Sequence, residues 1–140
     1  MPLLLRDHFL PGTFGDQFAP LSALMAAAMM TSTLRLGSMV FDNDYRHPVV
    51  LGKEVATLDV LSGGRFEFGL GAGWMGSEYE QAGLPFDPPG TRIDRFEEAL
   101  QIFKGLFADE PHNKLPLPLQ QKSTTPPNSY TPATNPAQAG

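Results

Sequence analysis

Cysteine is absent from the 140-residue sequence, which excludes both a disulfide framework and a thiolate metal site. Long apolar runs are also missing. Residues 19–30 are apolar but fall short of the about 20 residues that cross a bilayer. Residues 1–5 are too short for a signal peptide. We therefore expect a cytoplasmic protein that has no membrane partner.

Positive charge is too sparse and too scattered to form a nucleic-acid surface. Residues 1–110 contain 8 Lys and Arg against 15 Asp and Glu, while residues 111–140 contain two Lys and no acid. Without a basic stripe, no nucleic-acid partner is expected. The histidines and acids show no metal-ligand spacing such as H-E-x-x-H, so no metal site is expected.

Composition divides the chain into an ordered domain, residues 1–110, and a tail, residues 111–140. Seven of the 14 prolines fall in the last 30 residues, among Gln, Ser, Thr and Asn. Such a segment buries too little apolar surface to offset the entropy of ordering. The tail is therefore predicted to be disordered and of low complexity.

Three helices are predicted from apolar periodicity and from start signals. They begin at Pro20, at Pro48 and at a Thr91-x-x-Asp94 capping box. The second helix is expected to end at a glycine in the left-handed conformation, at residues 62–64. The stripes predicted to be buried are Leu21, Leu24, Met25, Ala28 and Met29; Leu51, Val55, Leu58 and Leu61; and Ile93, Phe96, Leu100, Phe103 and Phe107.

Two strands lie between these helices, near residues 34–41 and 65–72. Strands that alternate with helices indicate βαβ units, so the two strands are predicted to be adjacent and parallel. Arg35 and Glu67 fall in the middle of the neighbouring strands. Because a charge inside a sheet must be paired or solvated, we predict an ion pair between them, in the interior of a barrel if the parallel sheet closes into one. His47, just before Pro48, is predicted to cap the second helix.

The glycine-rich end of the second strand is the most informative stretch. Gly69, Gly71 and Gly73 remove side chains from alternate positions before Trp74. Such glycines let another backbone or a flat ligand approach closely. Ligands of α/β proteins lie at the carboxyl ends of parallel strands, so this edge is predicted to bind one.

The same residues match the dinucleotide fingerprint G-x-G-x-x-G through Gly71, Gly73 and Gly76. A Rossmann turn must run directly into a long helix, whereas Gly83 and Pro85 interrupt the chain here. An NAD(P)-binding protein of Rossmann type is therefore a weaker alternative.

Four segments together resemble one family: DHF at 7–9, LRLGSMVF at 34–41, HPVVLGKEVATLDVLSGGRFEFGLGAGW at 47–74 and GLPFDPPGTRIDRFEEAL at 83–100. They are similar to the luciferase-like monooxygenase superfamily, and within it to the deazaflavin (coenzyme F-420)-dependent oxidoreductases more than to the FMN enzymes. Family members are (β/α)₈ TIM barrels. The resemblance therefore implies an α/β fold that is a fragment of such a barrel, from about the end of strand two to helix four.

The resemblance implies an oxidoreductase that performs hydride transfer or oxygen insertion on a small organic substrate. Its cofactor would be coenzyme F-420, with FMN as the alternative. The phosphate and tail contacts come largely from later strands in this family, so the chain is expected to be inactive by itself. An alternative of another class is a non-enzymatic partial barrel, which would pair with a second copy or a partner through its exposed sheet edges.

By the same analogy, His8 would be the catalytic residue, because the matching histidine lies beside the reactive face of the cofactor. Imidazole suits this position since it gives or takes a proton near neutral pH. Asp7 would orient the ring or contact the cofactor. Met39 and Val40 match a non-proline cis peptide that supports the back of the ring in family members. Asp42 would hydrogen-bond the cofactor or form the turn with Asn43 beside it.

Gly71, Gly73 and Trp74 would form a wall of the cofactor site, because they close the last strand. Glu78 and Tyr79 follow directly and are candidate pocket residues. Sequence alone does not distinguish these two residues from surface residues.

Overall fold

The computed structural model describes residues 1–10 and 15–108. The expected disordered tail, residues 111–140, lies outside the described residues.

Five short strands pair in parallel throughout the described residues. Strands β1 (Leu3–Leu5), β2 (Leu36–Ser38) and β4 (Phe66–Glu67) are adjacent in the order β1-β2-β4. Strand β3 (Phe41–Asp42) pairs with β5 (Leu70–Gly71). All the strands therefore end on the same side, which places the residues that follow them at one edge.

The predicted strands are confirmed in position and in direction, but each is divided into two. Residues 34–41 contain β2 and the start of β3, separated by Met39 and Val40, which are joined by a cis peptide bond. Residues 65–72 contain β4 and β5. The amide of Phe41 donates to the carbonyl of Gly69 at 2.9 Å, so the two chains stay paired across the break.

Four helices accompany the strands: α1 (Pro20–Met30), α2 (Pro48–Ser62), α3 (Gly76–Ala82) and α4 (Pro89–Leu106). Three begin with proline at the first helical position, where its missing N–H costs no hydrogen bond. The predicted starts of α1 and α2 are confirmed. The seven-residue helix α3 was not predicted, because it is too short to show a periodic apolar stripe.

Both ends of α2 are capped as the sequence predicts. The Val49 amide donates to His47 Nδ1 at 3.3 Å. Gly63 adopts φ +70° and its amide donates to the carbonyl of Val60. The predicted capping box of α4 is wrong, since α4 begins at Pro89 and has no side-chain capping bond. The fixed φ of proline starts this helix, and Thr91 already lies inside its first turn.

The buried core lies between the helices and the sheet. It comprises Leu24, Ala28, Leu36, Phe41, Leu51, Val55, Leu58, Ala99 and Phe103. Four members of the predicted stripes are instead largely exposed: Met29 at 63%, Leu61 at 53%, Ile93 at 47% and Phe107 at 47%. Their burial is a wrong prediction. Phe107 follows the last residue of α4, and its ring still stacks on Phe103 at a centroid distance of 6.0 Å.

The buried face of α4 differs from the predicted stripe, and the contact between α4 and α2 explains the difference. A Cβ on Gly52 would lie 2.7 Å from Leu106 Cδ1 and 3.4 Å from the Phe103 ring. The missing side chain of Gly52 therefore lets α4 approach α2 closely. This contact turns Ala99, Ile102 and Phe103 inward.

Arg65 ties the chain together at the amino ends of the strands. Its guanidinium donates to the carbonyls of Ala28 at 2.8 Å, Leu34 at 2.8 Å and Ser62 at 2.6 Å, and to Thr31 Oγ1 at 3.1 Å. These acceptors belong to the carboxyl ends of α1 and α2 and to the segment before β2. The Arg65 side chain therefore links the ends of two helices to the start of a strand.

The predicted ion pair between Arg35 and Glu67 is confirmed, with Arg35 Nε 2.8 Å from Glu67 Oε1. The two side chains are 68% and 41% exposed in the described residues. Solvent therefore screens this pair. The location of these side chains in the interior of a complete barrel stays a prediction. Within the described residues, no helix combines the length and apolarity needed to cross a membrane.

Candidate functional site at the carboxyl edge of the strands

The segments that follow the strands meet at one edge. His8 follows β1, Asn43 and Asp44 follow β3, and Trp74 follows β5. The imidazole of His8 lies with its ring centroid 6.1 Å from that of Trp74, at an interplanar angle of 85°. The structure therefore brings the predicted catalytic histidine beside the predicted aromatic wall.

A buried carboxylate, Glu78, organises this edge from the first turn of α3. Its side chain is 1% exposed. Oε1 accepts hydrogen bonds from the amides of Phe9 at 2.8 Å and Leu10 at 3.0 Å. Oε2 accepts from the Tyr45 hydroxyl at 3.0 Å and lies 2.9 Å from His8 Nδ1. One carboxylate thus joins the segments after β1 and β3 to α3.

The environment of Glu78 favours its charged form. Burial by itself raises the pKa of this carboxyl, but the hydrogen bonds from His8, Leu10, Tyr45 and Phe9 outweigh it. The net pKa lies below the ordinary value of 4.5. The same charge, together with burial and Asp42, raises the pKa of Tyr45 far above 10, so its hydroxyl stays protonated and donates.

Asp7 lies beneath the edge and is only 4% exposed. Arg46 binds it through both guanidinium ends: Nη1 to Oδ2, and Nη2 to Oδ1 at 3.0 Å. The amide of Asp42 also donates to Asp7 Oδ2 at 3.1 Å. These bonds direct the Asp7 carboxylate into the protein and fix β3 against the segment after β1.

Asp42 is also buried, at 9% exposure. The Tyr79 hydroxyl lies 2.9 Å from both of its carboxylate oxygens, and the Asp44 amide donates to Oδ1 at 2.9 Å. Burial raises the pKa of Asp42 above 3.8, against the lowering effect of these hydrogen bonds. Burial and the Asp42 charge likewise raise the pKa of Tyr79 far above 10, which keeps its hydroxyl a donor.

Gly73 leaves space for the hydrogen-bonded pair of Asp42 and Tyr79. It adopts φ +74°, and a Cβ there would lie 1.9 Å from the Tyr79 hydroxyl and 2.8 Å from Asp42 Oδ2. Arg92 donates to the carbonyl of Gly73 and so holds the turn from its other side. Glycine at this position is therefore explained by packing within the protein.

The apolar side chains at the edge are open to solvent. Met39 is 61% exposed, Val40 44% and Trp74 65%. Val40 lies against the glycines of the last strand, since a Cβ on Gly71 would lie 2.7 Å from Val40 Cγ2. The three exposed side chains and His8 form what we call the apolar edge.

A shallow pocket of about 280 Å³ lies beside the apolar edge. It is lined by Phe9, Leu10, Glu78, Gln81 and Ala82. None of the members of the apolar edge lines this pocket, so the apolar edge is an open surface. Within residues 1–10 and 15–108, no group of three or more His, Asp or Glu side chains is arranged to hold a metal ion.

The predicted site residues divide into two groups. His8, Met39, Val40 and Trp74 reach the edge, and Gly71 and Gly73 shape the backbone behind it. Asp7 and Asp42 are buried behind this edge, and their carboxylate oxygens accept hydrogen bonds from other groups of the protein.

Sequence reasoning did not distinguish Glu78 and Tyr79 from surface residues, whereas the structure buries them, at 1% and 0% exposure. The sequence carries no start signal for α3, because the preceding residue, Met75, makes no side-chain capping bond. Only the structure places Glu78 in the first turn of this helix, where a carboxylate can reach back to the preceding segments.

Parallel strands that alternate with helices define an α/β protein, the class in which ligands bind at the carboxyl ends of the strands. A family model described as luciferase-like monooxygenase matches residues 3–134. The chain belongs to this family, as the sequence resemblance predicts.

Several characterised relatives are similar to most of this chain. The F420-dependent glucose-6-phosphate dehydrogenase of Beutenbergia cavernae is 36% identical over 111 residues, which cover 77% of this chain and 33% of that protein. The 4-hydroxyprotoasukamycin monooxygenase of Streptomyces nodosus subsp. asukaensis is 35% identical over 109 residues, 78% of this chain and 29% of that protein. The chain thus spans about a third of the length of these relatives.

A solved structure is also similar to this chain over part of its own length. The coenzyme F420-dependent tetrahydromethanopterin reductase from Methanopyrus kandleri superposes with a TM-score of 0.55 and 29% identity. The match covers 73% of this chain and 32% of that one. The dinucleotide fingerprint, by contrast, leads into the seven residues of α3, which end at Gly83 in the left-handed conformation.

Proposed function

We propose that this chain is part of a (deaza)flavin-dependent oxidoreductase, with coenzyme F-420 as cofactor and FMN as the alternative. Its ordered domain, residues 1–110, would correspond to the part of a (β/α)₈ barrel from the end of strand two to helix four, followed by the tail, residues 111–140. Two of the relatives described above are F420-dependent by name. The reaction would be hydride transfer or oxygen insertion on a small organic substrate.

The observation that carries this proposal is the apolar edge. A flat aromatic ring binds by burying its faces against apolar side chains, and Met39, Val40 and Trp74 offer such a surface. His8 lies at the same edge, held on Glu78 at 2.9 Å. These residues therefore fit the ring of a flavin or deazaflavin.

A bound deazaflavin or flavin supplies the hydride chemistry. The contribution of this chain would be to hold the ring against Val40, to exclude water with Trp74, and to hold or deliver a proton at the imidazole of His8. Gly71 and Gly73 would keep the backbone close enough for the ring to lie flat. Asp7 and Asp42 would act from underneath, by fixing the segments that carry these groups.

The arginines around the edge are already used by the protein. Arg46 binds the buried Asp7, Arg95 binds Asp44 and another aspartate, and Arg92 donates to backbone carbonyls. None of these three cations is available to bind a cofactor phosphate without losing such a bond. We therefore expect the 140-residue chain to bind the cofactor weakly and to be inactive by itself.

Trp74 is the one tryptophan of the sequence and belongs to the apolar edge, so its fluorescence reports binding there. Titration with coenzyme F-420 or FMN is expected to quench it in a weak but saturable manner. Val40→Asp should abolish the saturable part by placing a charge under the ring. Val60→Asp, at a 77% exposed position on α2, should leave it intact and correct for light absorbed by the cofactor. No saturable quenching, or equal quenching in both variants, would contradict the proposal.

A second candidate is a non-enzymatic partial barrel that associates with another copy. In the described sheet, β1 and β4 are the outer strands of the order β1-β2-β4, and outer strands pair readily with other chains. Light scattering on the samples used for the titration tests this candidate. A stable dimer that shows no cofactor binding would favour it over the oxidoreductase.

A further inference from the structure

Glu78 is a buried carboxylate to which the proposed function above gives no role. Its Oε2 lies 2.9 Å from Nδ1 of His8. We propose that Glu78 is a positioning residue that sets the tautomer of His8, with the proton on Nδ1 and the ring lone pair on Nε2. This inference rests on the proposed role of His8 at the apolar edge.

Hydrogen-bond chemistry assigns the proton. An ionised carboxylate has only lone pairs, so each of its partners must donate. Phe9 and Leu10 donate from backbone amides, and Tyr45 donates its single hydroxyl hydrogen. The fourth partner is His8 Nδ1, which therefore carries a hydrogen. The low pKa of Glu78 agrees with an ionised carboxylate at neutral pH.

The tautomer decides which ring nitrogen can accept a proton. In the neutral imidazole one nitrogen donates and the other accepts. With Nδ1–H bound to Glu78, an incoming proton is taken up at Nε2. The resulting imidazolium keeps its bond to Oε2, and its positive charge lies beside the buried carboxylate. A carboxylate that orients a catalytic histidine and stabilises its charged form acts in this way.

The two oxygens of Glu78 have separable roles, which makes the inference testable. Among the described residues, Oε1 accepts from two backbone amides, whereas Oε2 contacts two side chains. In Glu78→Gln, the amide oxygen must face the two backbone amides, because the opposite orientation would place donors against donors. The side-chain NH₂ then points at His8 and Tyr45. Since NH₂ only donates, Nδ1 of His8 must become the acceptor, and the proton moves to Nε2.

Nitrogen-15 NMR of the full 140-residue chain, labelled at histidine, reads the tautomer directly. The sequence has three histidines, and the signals that vanish in His8→Gln belong to His8. At a pH where the ring is neutral, we expect a pyrrole-type shift at Nδ1 and a pyridine-type shift at Nε2. In Glu78→Gln the two shifts should exchange.

Tyr45→Phe is the matched control. It removes another donor to the same Oε2 but leaves the carboxylate, so His8 should keep its proton on Nδ1. A native His8 that carries its proton on Nε2 would overturn the inference, and so would a tautomer unchanged in Glu78→Gln. Circular dichroism of Glu78→Gln checks folding. If that variant does not fold, the native tautomer and Tyr45→Phe still decide the matter.

These spectra need no cofactor. A chain that binds neither coenzyme F-420 nor FMN would contradict the proposed function and leave the tautomer assignment standing. A chain that binds the cofactor but shows the other tautomer would contradict only the role of Glu78.

Discussion

Replacement of Gly73 by alanine should destabilise the chain through two separate effects. The first is conformational: at φ +74°, an alanine is strained by about 1–2 kcal/mol. The second is steric, because the new Cβ would lie 1.9 Å from the Tyr79 hydroxyl. The hydroxyl must move, and the buried Asp42 then loses the donor that lies 2.9 Å from both of its oxygens.

Loss of a hydrogen bond that leaves a buried carboxylate unsatisfied costs about 1–3 kcal/mol. The two effects of Gly73→Ala therefore sum to about 2–5 kcal/mol, a large part of the about 5–15 kcal/mol that stabilises a typical domain. Gly63→Ala separates them. Gly63 has φ +70°, and a Cβ added there would meet nothing within 4 Å, so alanine should cost only the conformational part, about 1–2 kcal/mol.

Urea unfolding of the three proteins, followed by circular dichroism, measures both losses. With a slope of about 1–2 kcal/mol per molar urea, Gly73→Ala should lower the midpoint by at least about 1 M. Combining it with Tyr79→Phe removes the colliding hydroxyl, so the double variant should lose less stability than the sum of the single ones. If Gly73→Ala costs no more than Gly63→Ala, the steric argument fails.

Four further substitutions test the charged residues. The folded pKa of Glu78 lies below 4.5, so its carboxylate stabilises the fold above about pH 4.5 and loses this contribution as the pH falls through the lower folded value. In urea unfolding at several pH values, the stability gap between the native chain and Glu78→Gln should therefore narrow on acidification, and a constant gap would contradict this. Asp42→Asn should show the opposite pH dependence. Because the folded pKa of Asp42 is raised above 3.8, its ionisation lowers the stability of the native chain. The free energy of unfolding of the variant should therefore increase relative to that of the native chain as the pH rises. Asp7→Asn should cost about 2–4 kcal/mol because Arg46 loses a buried partner. Arg35→Ala should cost less than about 1 kcal/mol because its ion pair with Glu67 is exposed. Equal decreases in melting temperature for Asp7→Asn and Arg35→Ala would refute this distinction.

The helices and strands that the sequence predicts correctly are those fixed by local chemistry. Pro20 and Pro48 start α1 and α2 because the proline ring fixes φ at the first helical position. Gly63 ends α2 because glycine adopts the left-handed cap without strain. Parallel pairing of β2 with β4 follows from the intervening helix, which reverses the chain twice.

The network beneath the edge was not predictable, because its partners are far apart in the sequence. Glu78 lies 70 positions from His8, and Tyr79 lies 37 positions from Asp42. Charge and polarity suggest surface positions for such residues, and only the fold supplies the donors that permit their burial. The resemblance identified His8 and Trp74, but the partner that holds His8 required the structure.

The contacts of Arg65 show that the two ends of the sheet differ in how their stability depends on side-chain substitutions. The positive charge of Arg65 is balanced chiefly by the carbonyl oxygens of Ala28, Leu34 and Ser62, without a carboxylate among those bonds. These acceptors are backbone atoms, so they persist when the side chains around them are exchanged. The end of the sheet opposite the apolar edge is thus anchored independently of the residues that would meet a substrate. Substitutions in the segments after the strands can accumulate without loosening that anchor, which is the condition under which one scaffold acquires many specificities.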